Sequence, residues 1–265
     1  MELQPIIKWA GGKRWLVRKA ADLFPSDYEN YIEPFLGGAA VYFHLSPSSA
    51  FLSDVNSELI NVYSSIKEDW LQVAEHLKAH QNLHCHDYYY KVRATIPDSR
   101  FAQAARTLYL NRTCWNGLYR VNLKGEFNVP IGTKSNVLAD IEAFPHVAKL
   151  LQGATLRVGD FETSIDAAQG GDFIFIDPPY TVKHNYNGFI KYNENLFKWE
   201  DQIRLRDAVV RAVERGVKVL VLNANHESIS SLYETFEQVV LSRSNVLSGK
   251  SEFRGVYQEL AIRCW

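Results

Sequence analysis

The chain has 265 residues, 46% of them hydrophobic, and its 29 Lys and Arg residues against 30 Asp and Glu residues leave a net charge of −1. This length suits one large α/β domain or one domain with a sizeable insertion. Because the net charge is close to zero, the overall charge gives no sign of a nucleic-acid partner. No apolar run reaches the ~20 residues that span a membrane, and no signal peptide is recognised, so we expect a cytoplasmic protein.

The first part of the chain predicts a β-α-β unit. The predicted elements are a helix over residues 13–24, a strand over 31–33, a helix over 39–45, a strand over 50–53 and a helix from about 57 toward 67. Pro25 closes the first helix, and Asn56 or Ser57 can cap the last one. The second strand ends at Asp54, so a carboxylate lies at a strand end.

The rest of the chain predicts a helix-rich insertion and then more of the sheet. The predicted elements are a helix over 101–111, a hairpin over 117–130, strands over 154–158 and 173–176, a helix over 199–215, a strand over 217–222 and an antiparallel pair over 236–240 and 256–263. We therefore predict a doubly wound α/β fold, with residues 1–68 and 145–265 as one domain and residues 69–144 inserted in it.

Local charge differs from the overall balance. Residues 100–134 carry six cations and one anion, and residues 1–19 carry five cations and one anion. Two basic segments in a neutral protein predict a single basic face, which is a common property of proteins that bind nucleic acids.

The segment Asp177-Pro178-Pro179-Tyr180 follows the apolar run at residues 173–176. That run is typical of a buried strand, and the two prolines must end it. Ligands of open α/β sheets bind at the carboxyl ends of the strands, so the Asp177 carboxylate and the Tyr180 ring are candidates for a site. A strand-ending turn with an exposed Asp explains these four residues equally well.

Two glycine-rich segments suggest a small-molecule site. Gly37 and Gly38 let the backbone approach a ligand, and Asp54 lies where dinucleotide sites place a ribose-binding acid. The turn lacks the GxGxxG pattern of pyrophosphate-binding sites, so the expected ligand is a nucleoside without pyrophosphate. The alternative is a tight turn with a capping acid and no ligand. The segment at residues 8–13, KWAGGK, lacks the P-loop spacing, which disfavours phosphate transfer.

The run at residues 110–122, LNRTCWNGLYRVN, interleaves arginines, amides and aromatic rings. Arg can bond guanine through two hydrogen bonds, Asn can bond adenine, and Trp or Tyr can stack on bases. This composition is consistent with DNA reading, and equally with a solvated surface loop.

Taken together, five segments resemble the Dam-type DNA adenine-N6 methyltransferases. They are, in the family's order, KWAGGK at residues 8–13, EPFLGGAAV at 33–41, SDVN at 53–56, the run at 110–122 with GEFNVP at 125–130, and DPPY at 177–180. The resemblance extends from Lys8 to at least Arg254. It implies a Rossmann-like S-adenosylmethionine-dependent methyltransferase sheet with an inserted helical target-recognition domain that carries a β-hairpin, in a bacterial or phage-encoded enzyme.

The resemblance implies roles for individual residues. The residues that match the family's S-adenosylmethionine contacts are Trp9, Lys13, Phe35, Gly37, Asp54, Asp160, Phe161 and Asp177. By the same resemblance, Tyr180 stacks on an adenine extruded from duplex DNA, while the Asp177 carboxylate and the Pro178 carbonyl accept hydrogen bonds from N6. Direct methyl transfer then needs neither a covalent intermediate nor a metal.

The resemblance also assigns the reading of DNA to the predicted hairpin. Arg120 is the implied guanine reader, and the other residues implied to contact double-stranded DNA are Lys8, Trp115, Asn116, Leu118, Asn122 and Pro130. The matches at Asn116, Leu118, Arg120 and Pro130 favour GATC as the target. Trp115 stands where family members often carry Tyr or Phe. We expect a monomer in solution.

Cysteine and histidine give no pattern of metal ligands. Cys85, Cys114 and Cys264 are odd in number and lack CxxC spacing, so we predict reduced thiols and no zinc site. His184, His226 and the group at residues 84–86 are not needed by the implied mechanism. Two alternatives remain open, namely a methyltransferase that acts on RNA or a protein amide, and a catalytically silent DNA-binding regulator.

Overall fold

The computed structural model describes residues 3–122, 124–182, 197–244 and 256–265. Its helices are α1 (Arg14–Lys19), α2 (Ala40–Leu45), α3 (Ser57–Leu83), α4 (His86–Ala94), α5 (Arg100–Thr113), α6 (Phe144–Leu151), α7 (Phe161–Ala167), α8 (Trp199–Glu214) and α9 (Glu227–Leu232). Its strands are β1 (Tyr31–Glu33), β2 (Ala50–Asp54), β3 (Ala154–Val158), β4 (Phe173–Ile176), β5 (Lys218–Ala224), β6 (Glu237–Ser244) and β7 (Val256–Cys264). These elements confirm the predicted α/β class.

The strands form one seven-stranded sheet in the order β3-β2-β1-β4-β5-β7-β6. The chain divides into two compact units, of which the first comprises Met1–Val17 and Leu36–Val158 and the second Arg18–Phe35 and Gly159–Trp265. The predicted insertion at residues 69–144 lies within the first unit. Its assignment as a separate domain stays a prediction.

In the second unit, β4 is the strand that precedes Asp177. It pairs in parallel with β1 and with β5, and all four of its side chains are buried. A strand buried on both faces is expected to be apolar throughout, which explains the sequence Phe-Ile-Phe-Ile. Full burial of each such side chain contributes about 1.5–3 kcal/mol. The strands β6 and β7 form the predicted antiparallel pair, with Val239 opposite Ala261.

In the first unit, β2 and β3 pair in parallel, with Asp54 opposite Val158. The side chain of Asn56 caps α3 by accepting from the backbone N–H of Leu59 at 3.0 Å. This helix continues well beyond residue 67. It has a kink at Asp69, whose side chain accepts a hydrogen bond from the backbone N–H of Leu71 at 3.1 Å and so caps a new helical turn.

The first predicted helix, over residues 13–24, is wrong in extent. The helix α1 ends at Lys19, because Ala20 leaves helical geometry at φ −142° and ψ 43°, and a short 3₁₀ turn, Ala21–Leu23, follows. Pro25 restricts Phe24 to an extended conformation, as observed at φ −87° and ψ 139°. The apolar spacing of the segment is satisfied by a helix and a turn instead of one helix.

A histidine in the helical part of the first unit gives a pH-dependent prediction. Burial, with the charges of His76 and Arg106, lowers the pKa of His80 to about 4, and its ring stacks on Tyr109 at 4.7 Å. Because the unfolded chain binds this proton near pH ~6.5, stability present above that pH is lost as the pH falls toward 4. We expect a His80→Phe variant to lose less melting temperature than the wild type between about pH 6.5 and 4.5 by circular dichroism. An equal loss in both proteins would contradict this.

Among the described residues, no helix is both long and apolar enough to cross a membrane.

Candidate active site and nucleic-acid interface

The glycine turn between β1 and α2 is held by the first unit's own groups. The backbone N–H of Leu36 donates to the carbonyl of Ser53 at 3.0 Å, and the N–H of Gly37 donates to Asp54 Oδ2 at 3.1 Å. The Tyr63 hydroxyl donates to the Gly37 carbonyl at 3.1 Å. Gly37 has a φ of +47°, which a side chain rarely tolerates. The turn therefore has a defined shape before any ligand binds.

Asp54 lies at the end of β2 and accepts hydrogen bonds through both of its oxygens. Its second acceptor bond, to Oδ1, comes from the backbone N–H of Asn56 at 2.9 Å. Burial raises the pKa of Asp54 above the ordinary range, although the N–H groups of Asn56 and Gly37 favour its charged form. Each carboxylate oxygen has two lone pairs, so the group can still accept from ligand hydroxyls.

Trp9 contacts both the glycine turn and the segment that was predicted to read DNA. A Cβ added at Gly37 would lie 2.9 Å from Cδ1 of the Trp9 ring. The same ring stacks on Tyr119, with centroids 4.9 Å apart and planes inclined by 27°. The Tyr119 hydroxyl in turn donates to Glu58 at 2.7 Å. Tyr119 belongs to the polar and aromatic run at residues 110–122, but its stacking on Trp9 was not predicted.

Lys13 is the other predicted cofactor residue in this segment. Its side chain is buried, and its ammonium donates to the carbonyl of Gly11 at 2.7 Å. Gly11 has a φ of +79°, so the loop turns back on itself at this glycine. The cation is therefore held close to its own loop.

The predicted cofactor residues of the second unit form an aromatic cluster beside an ion pair. Phe35 stacks on Phe161 at 5.3 Å and meets Phe197 edge-on at 5.7 Å. Asp160 caps α7 and forms two hydrogen bonds of 2.9 Å with Arg204, whose guanidinium lies 4.4 Å from the centre of the Phe161 ring. Asp160 thus has structural partners of its own, and its role toward a cofactor stays a prediction.

The Asp177-Pro178-Pro179-Tyr180 segment begins directly after β4. Asp177 and Tyr180 are partly exposed and Pro178 is buried. The Tyr180 hydroxyl donates to Glu259 Oε2 on β7 at 2.7 Å. Beyond the motif, the Thr181 hydroxyl donates to the carbonyl of Phe197 at 2.6 Å. The turn that the two prolines predict therefore presents a carboxylate and a tyrosine ring, and the hydroxyl of that ring is held by Glu259.

The predicted hairpin is an irregular antiparallel loop instead of two regular strands. In its described residues, isolated antiparallel bridges join Cys114 to Ile131 and Val121 to Phe127, and the backbone N–H of Asn128 donates to the Arg120 carbonyl at 3.1 Å. Asn122 forms the turn, because its Oδ1 accepts the backbone N–H groups of Lys124 and Glu126. Asn122 was predicted as a DNA contact, and its side chain has this local structural role.

Large side chains project from this loop into solvent. Trp115 is 54% exposed and Leu118 is 41% exposed, which is unusual for apolar residues of this size. Asn116, Arg120 and Pro130 are also exposed. The structure thus brings five of the seven predicted DNA-contact residues to the surface of one loop.

Arg120 is held on one side by a neighbouring amide. Its Nε donates to Asn128 Oδ1 across the loop at 2.9 Å. A guanidinium has five N–H donors in a fixed plane, so this bond orients the terminal nitrogens. Asn128 was not singled out from the sequence.

The base of the loop is joined to the chain's first segment by Asn111. This buried amide accepts from the Lys8 backbone N–H at 2.9 Å, donates to the Lys8 carbonyl at 2.8 Å and donates to the Gly117 carbonyl at 3.3 Å. The Lys8 ammonium donates to the carbonyl of Asn116. Lys8 and the loop are therefore one connected surface. Asn111 belongs to the polar run noted in the sequence, but its structural role depends on a contact 103 residues away.

Several of the histidine and cysteine residues considered as metal ligands have hydrogen-bond partners, for example His226 with Ser228 at 2.8 Å. His84 bonds Tyr109 at 2.9 Å, and burial raises the pKa of Cys114 to about 11. Within the described ranges, no group of three or more His, Cys, Asp or Glu side chains could hold a metal ion. His184 and Arg254 lie outside the described residues.

Comparisons with known proteins agree with the motifs. The family described as D12 class N6 adenine-specific DNA methyltransferase matches residues 9–246. The Type II methyltransferase M1.LlaDCHI of Lactococcus lactis subsp. cremoris is 36% identical over 271 residues, covering 99% of this chain and 95% of that protein. The DNA adenine methylase of Escherichia coli strain K12 is 34% identical over 263 residues, covering 97% and 94%.

A third relative is the Type II methyltransferase M.MjaIII of Methanocaldococcus jannaschii, which is 33% identical over 287 residues and matches 99% of each chain. The similarity therefore spans both compact units and every motif noted in the sequence. The resemblance to adenine-N6 methyltransferases is confirmed, and the chain belongs to the D12 class of N6 adenine-specific DNA methyltransferases.

Proposed function

We propose that this enzyme transfers the methyl group of S-adenosylmethionine to N6 of an adenine that it extrudes from duplex DNA, within GATC. The observation that best supports this proposal is the geometry of the segment after β4. A carboxylate and an aromatic ring follow a fully buried parallel strand, and the ring hydroxyl is bonded to a buried acid at 2.7 Å. In a DNA adenine methyltransferase, this is the arrangement that a base needs when it leaves the helix stack.

The residues of the glycine turn fit the proposed cofactor. Gly37 leaves no room for a Cβ against Trp9, and Asp54 presents acceptors suited to ribose hydroxyls. Trp9, Lys13, Phe35, Gly37, Asp54, Asp160, Phe161 and Asp177 are the residues proposed to hold it. When bound, S-adenosylmethionine supplies an electrophilic methyl group on a sulfonium sulfur.

The residues of the DPPY segment have defined tasks in this proposal. The Asp177 carboxylate and the Pro178 carbonyl accept hydrogen bonds from the N6 amino group of adenine, and Tyr180 stacks on the base. These acceptors draw the N6 lone pair out of conjugation with the ring, toward a tetrahedral and nucleophilic geometry. N6 would take the methyl group from the sulfonium sulfur, which would be left as a thioether, and N6 would then lose one proton. No metal is required.

The loop around Arg120 is proposed to choose the sequence. Exposed Arg120, oriented by Asn128, suits the two acceptors of a guanine in the major groove. Trp115 and Leu118 offer apolar surface to an opened duplex, and the resemblance to GATC-specific enzymes at Asn116, Leu118, Arg120 and Pro130 favours GATC. Lys8 and Asn122 lie on the same connected surface and complete the proposed contacts.

A methylation-protection experiment tests this function. Purified protein with S-adenosylmethionine and an unmethylated GATC duplex should make the duplex resistant to a nuclease that adenine methylation blocks. The control is the same duplex without cofactor, which should be cut. A duplex that stays cuttable would overturn the proposed GATC target, and binding without methyl incorporation into any duplex would favour a silent regulator. Preferential methylation of RNA over duplex DNA would favour the other alternative. Sedimentation of the protein alone tests the expected monomer.

The glycine turn gives a prediction for cofactor affinity. Alanine at Gly37 would need an unfavourable positive φ and would push its Cβ against the Trp9 ring. We expect Gly37→Ala to weaken S-adenosylmethionine binding at least about tenfold, which corresponds to ~1.4 kcal/mol, by isothermal titration calorimetry. The matched control is Gly125→Ala, also at a positive φ but with nothing within 4 Å of its Cβ, which should leave the affinity unchanged. Equal losses in both variants would contradict a specific role for the turn.

A further inference from the structure

Three polar side chains in the second unit are completely buried and surround the end of the DPPY segment. They are Gln202 on α8, Asn223 on β5 and Glu259 on β7, each with 0% exposure. Burial of polar groups is costly unless they are hydrogen-bonded. Their partners therefore indicate what these residues hold in place.

One of them, Gln202, bonds the backbone that follows Pro178, and Asn223 supports Gln202. The Gln202 amide nitrogen lies 3.4 Å from the carbonyls of Pro179 and of Thr181. The Gln202 carbonyl accepts from Asn223 at 3.0 Å, and Asn223 accepts from the backbone N–H of Ala224 at 2.9 Å. The backbone on both sides of Tyr180 is thus tied to β5.

Glu259 bonds the ring itself. It lies opposite Ala224 of β5 and Leu241 of β6 and is followed in β7 by the buried apolar residues Leu260, Ala261 and Ile262. Its Oε2 accepts from the Tyr180 hydroxyl at 2.7 Å, a distance typical of a strong O–H···O bond. A carboxylate costs more to bury than an apolar side chain of similar size, so packing alone does not account for an acid at this position.

We propose that Glu259 is a positioning residue that fixes where the Tyr180 ring lies for stacking on the extruded adenine. With the backbone held by Gln202, the ring could still swing about its Cα–Cβ bond, and the hydrogen bond from its hydroxyl to Glu259 restricts that swing. The ring is then preorganised before the base arrives. This inference rests on the proposed function, because it assigns a support to that site's aromatic ring.

The test is a double-mutant cycle on methyl transfer with a GATC duplex. Tyr180→Phe keeps the ring and removes the donor, whereas Glu259→Leu removes the acceptor. Each change alone is expected to lower kcat about tenfold, the effect of one lost hydrogen bond of about 1.4 kcal/mol. Because both changes break the same bond, the double variant should be no slower than the slower single variant.

A second readout reports on the ring's position directly. With 2-aminopurine at the target adenine, the wild type should give a fluorescence increase on binding, and both single variants should give an altered increase. Glu259→Gln retains an acceptor oxygen and should recover most of the lost kcat. The matched control is Glu237→Gln on the neighbouring strand, where the acid is exposed and bonds Arg263, and it should leave kcat unchanged.

The outcomes separate the two proposals. Single effects that multiply in the double variant would overturn the positioning role, since the residues would then act independently. If Glu259→Leu does not fold, Tyr180→Phe still decides, because unchanged kcat and fluorescence in that variant would overturn the inference. A wild-type protein that methylates no GATC duplex would instead overturn the proposed target itself.

Discussion

Replacing Asp177 by alanine is expected to reduce the rate of methyl transfer about 1,000-fold while the protein still folds and binds DNA. The proposed task of the carboxylate is to accept a hydrogen bond from N6 as the nitrogen becomes nucleophilic. The lost interaction is therefore one that strengthens in the transition state. Alanine removes the acceptor without adding bulk. The change lies after the end of β4, so the strand's buried side chains are unaffected.

The measurement is the single-turnover rate of methyl incorporation at saturating DNA and cofactor, with cofactor affinity measured separately by calorimetry. Asp98→Ala is the matched control, because Asp98 is an exposed acid outside the proposed site, and its rate should equal that of the wild type. Residual transfer within tenfold of wild type in Asp177→Ala would show that the carboxylate does not take part in the chemistry.

Replacing Arg120 by alanine is expected to change sequence choice more than overall affinity. A bidentate arginine–guanine contact accounts for about 1–3 kcal/mol of discrimination, or roughly 5- to 150-fold at one base pair. Arg120 is exposed, and its Nε donates to Asn128. This bond orients the guanidinium and leaves its two terminal nitrogens available for a base. We therefore expect kcat/KM on GATC to approach that on a duplex with one substituted guanine.

The measurement compares kcat/KM for GATC and for duplexes substituted at each position, at one salt concentration, since charge contacts depend on salt. Lys124→Ala, at the exposed turn of the same loop, is the control for charge alone and should weaken all duplexes alike. A uniform loss across all duplexes in Arg120→Ala would make Arg120 a phosphate contact and move the reading of guanine elsewhere.

The sequence predicted the sheet best where patterns are local. The strands β1, β2, β3 and β4 lie where they were predicted, and β4 gave the clearest signal because all four of its side chains are apolar and buried. The motif after β4 was equally predictable, since two prolines end a strand in any context. The first helix was overextended because its apolar spacing fits a helix followed by a turn as well as one longer helix.

The supports of the site were not predictable in the same way. Glu259 bonds a tyrosine 79 residues earlier in the chain, and Asn111 bonds Lys8 across 103 residues. Only the folded chain brings such pairs together. The acid Glu259, directly before the apolar run Leu260-Ala261-Ile262, was a usable signal, because a buried charge needs a partner, but the pattern does not say which partner. The stacking of Trp9 on Tyr119 was not predictable for the same reason, because the two residues lie far apart in the sequence.

The triple hydrogen bond of Asn111 limits how this enzyme could be redesigned. A chimera that receives only residues 117–130 from a relative with another target would keep its own Lys8 and Asn111. Asn111 bonds both Lys8 and the carbonyl of Gly117, so that carbonyl must stay in the same place. Gly117 itself has a φ of +63°, with Lys8 Cδ 2.8 Å from where a Cβ would lie. Transplanted loops should therefore retain function only when they carry this glycine, or when residues 8 and 111 are exchanged with them.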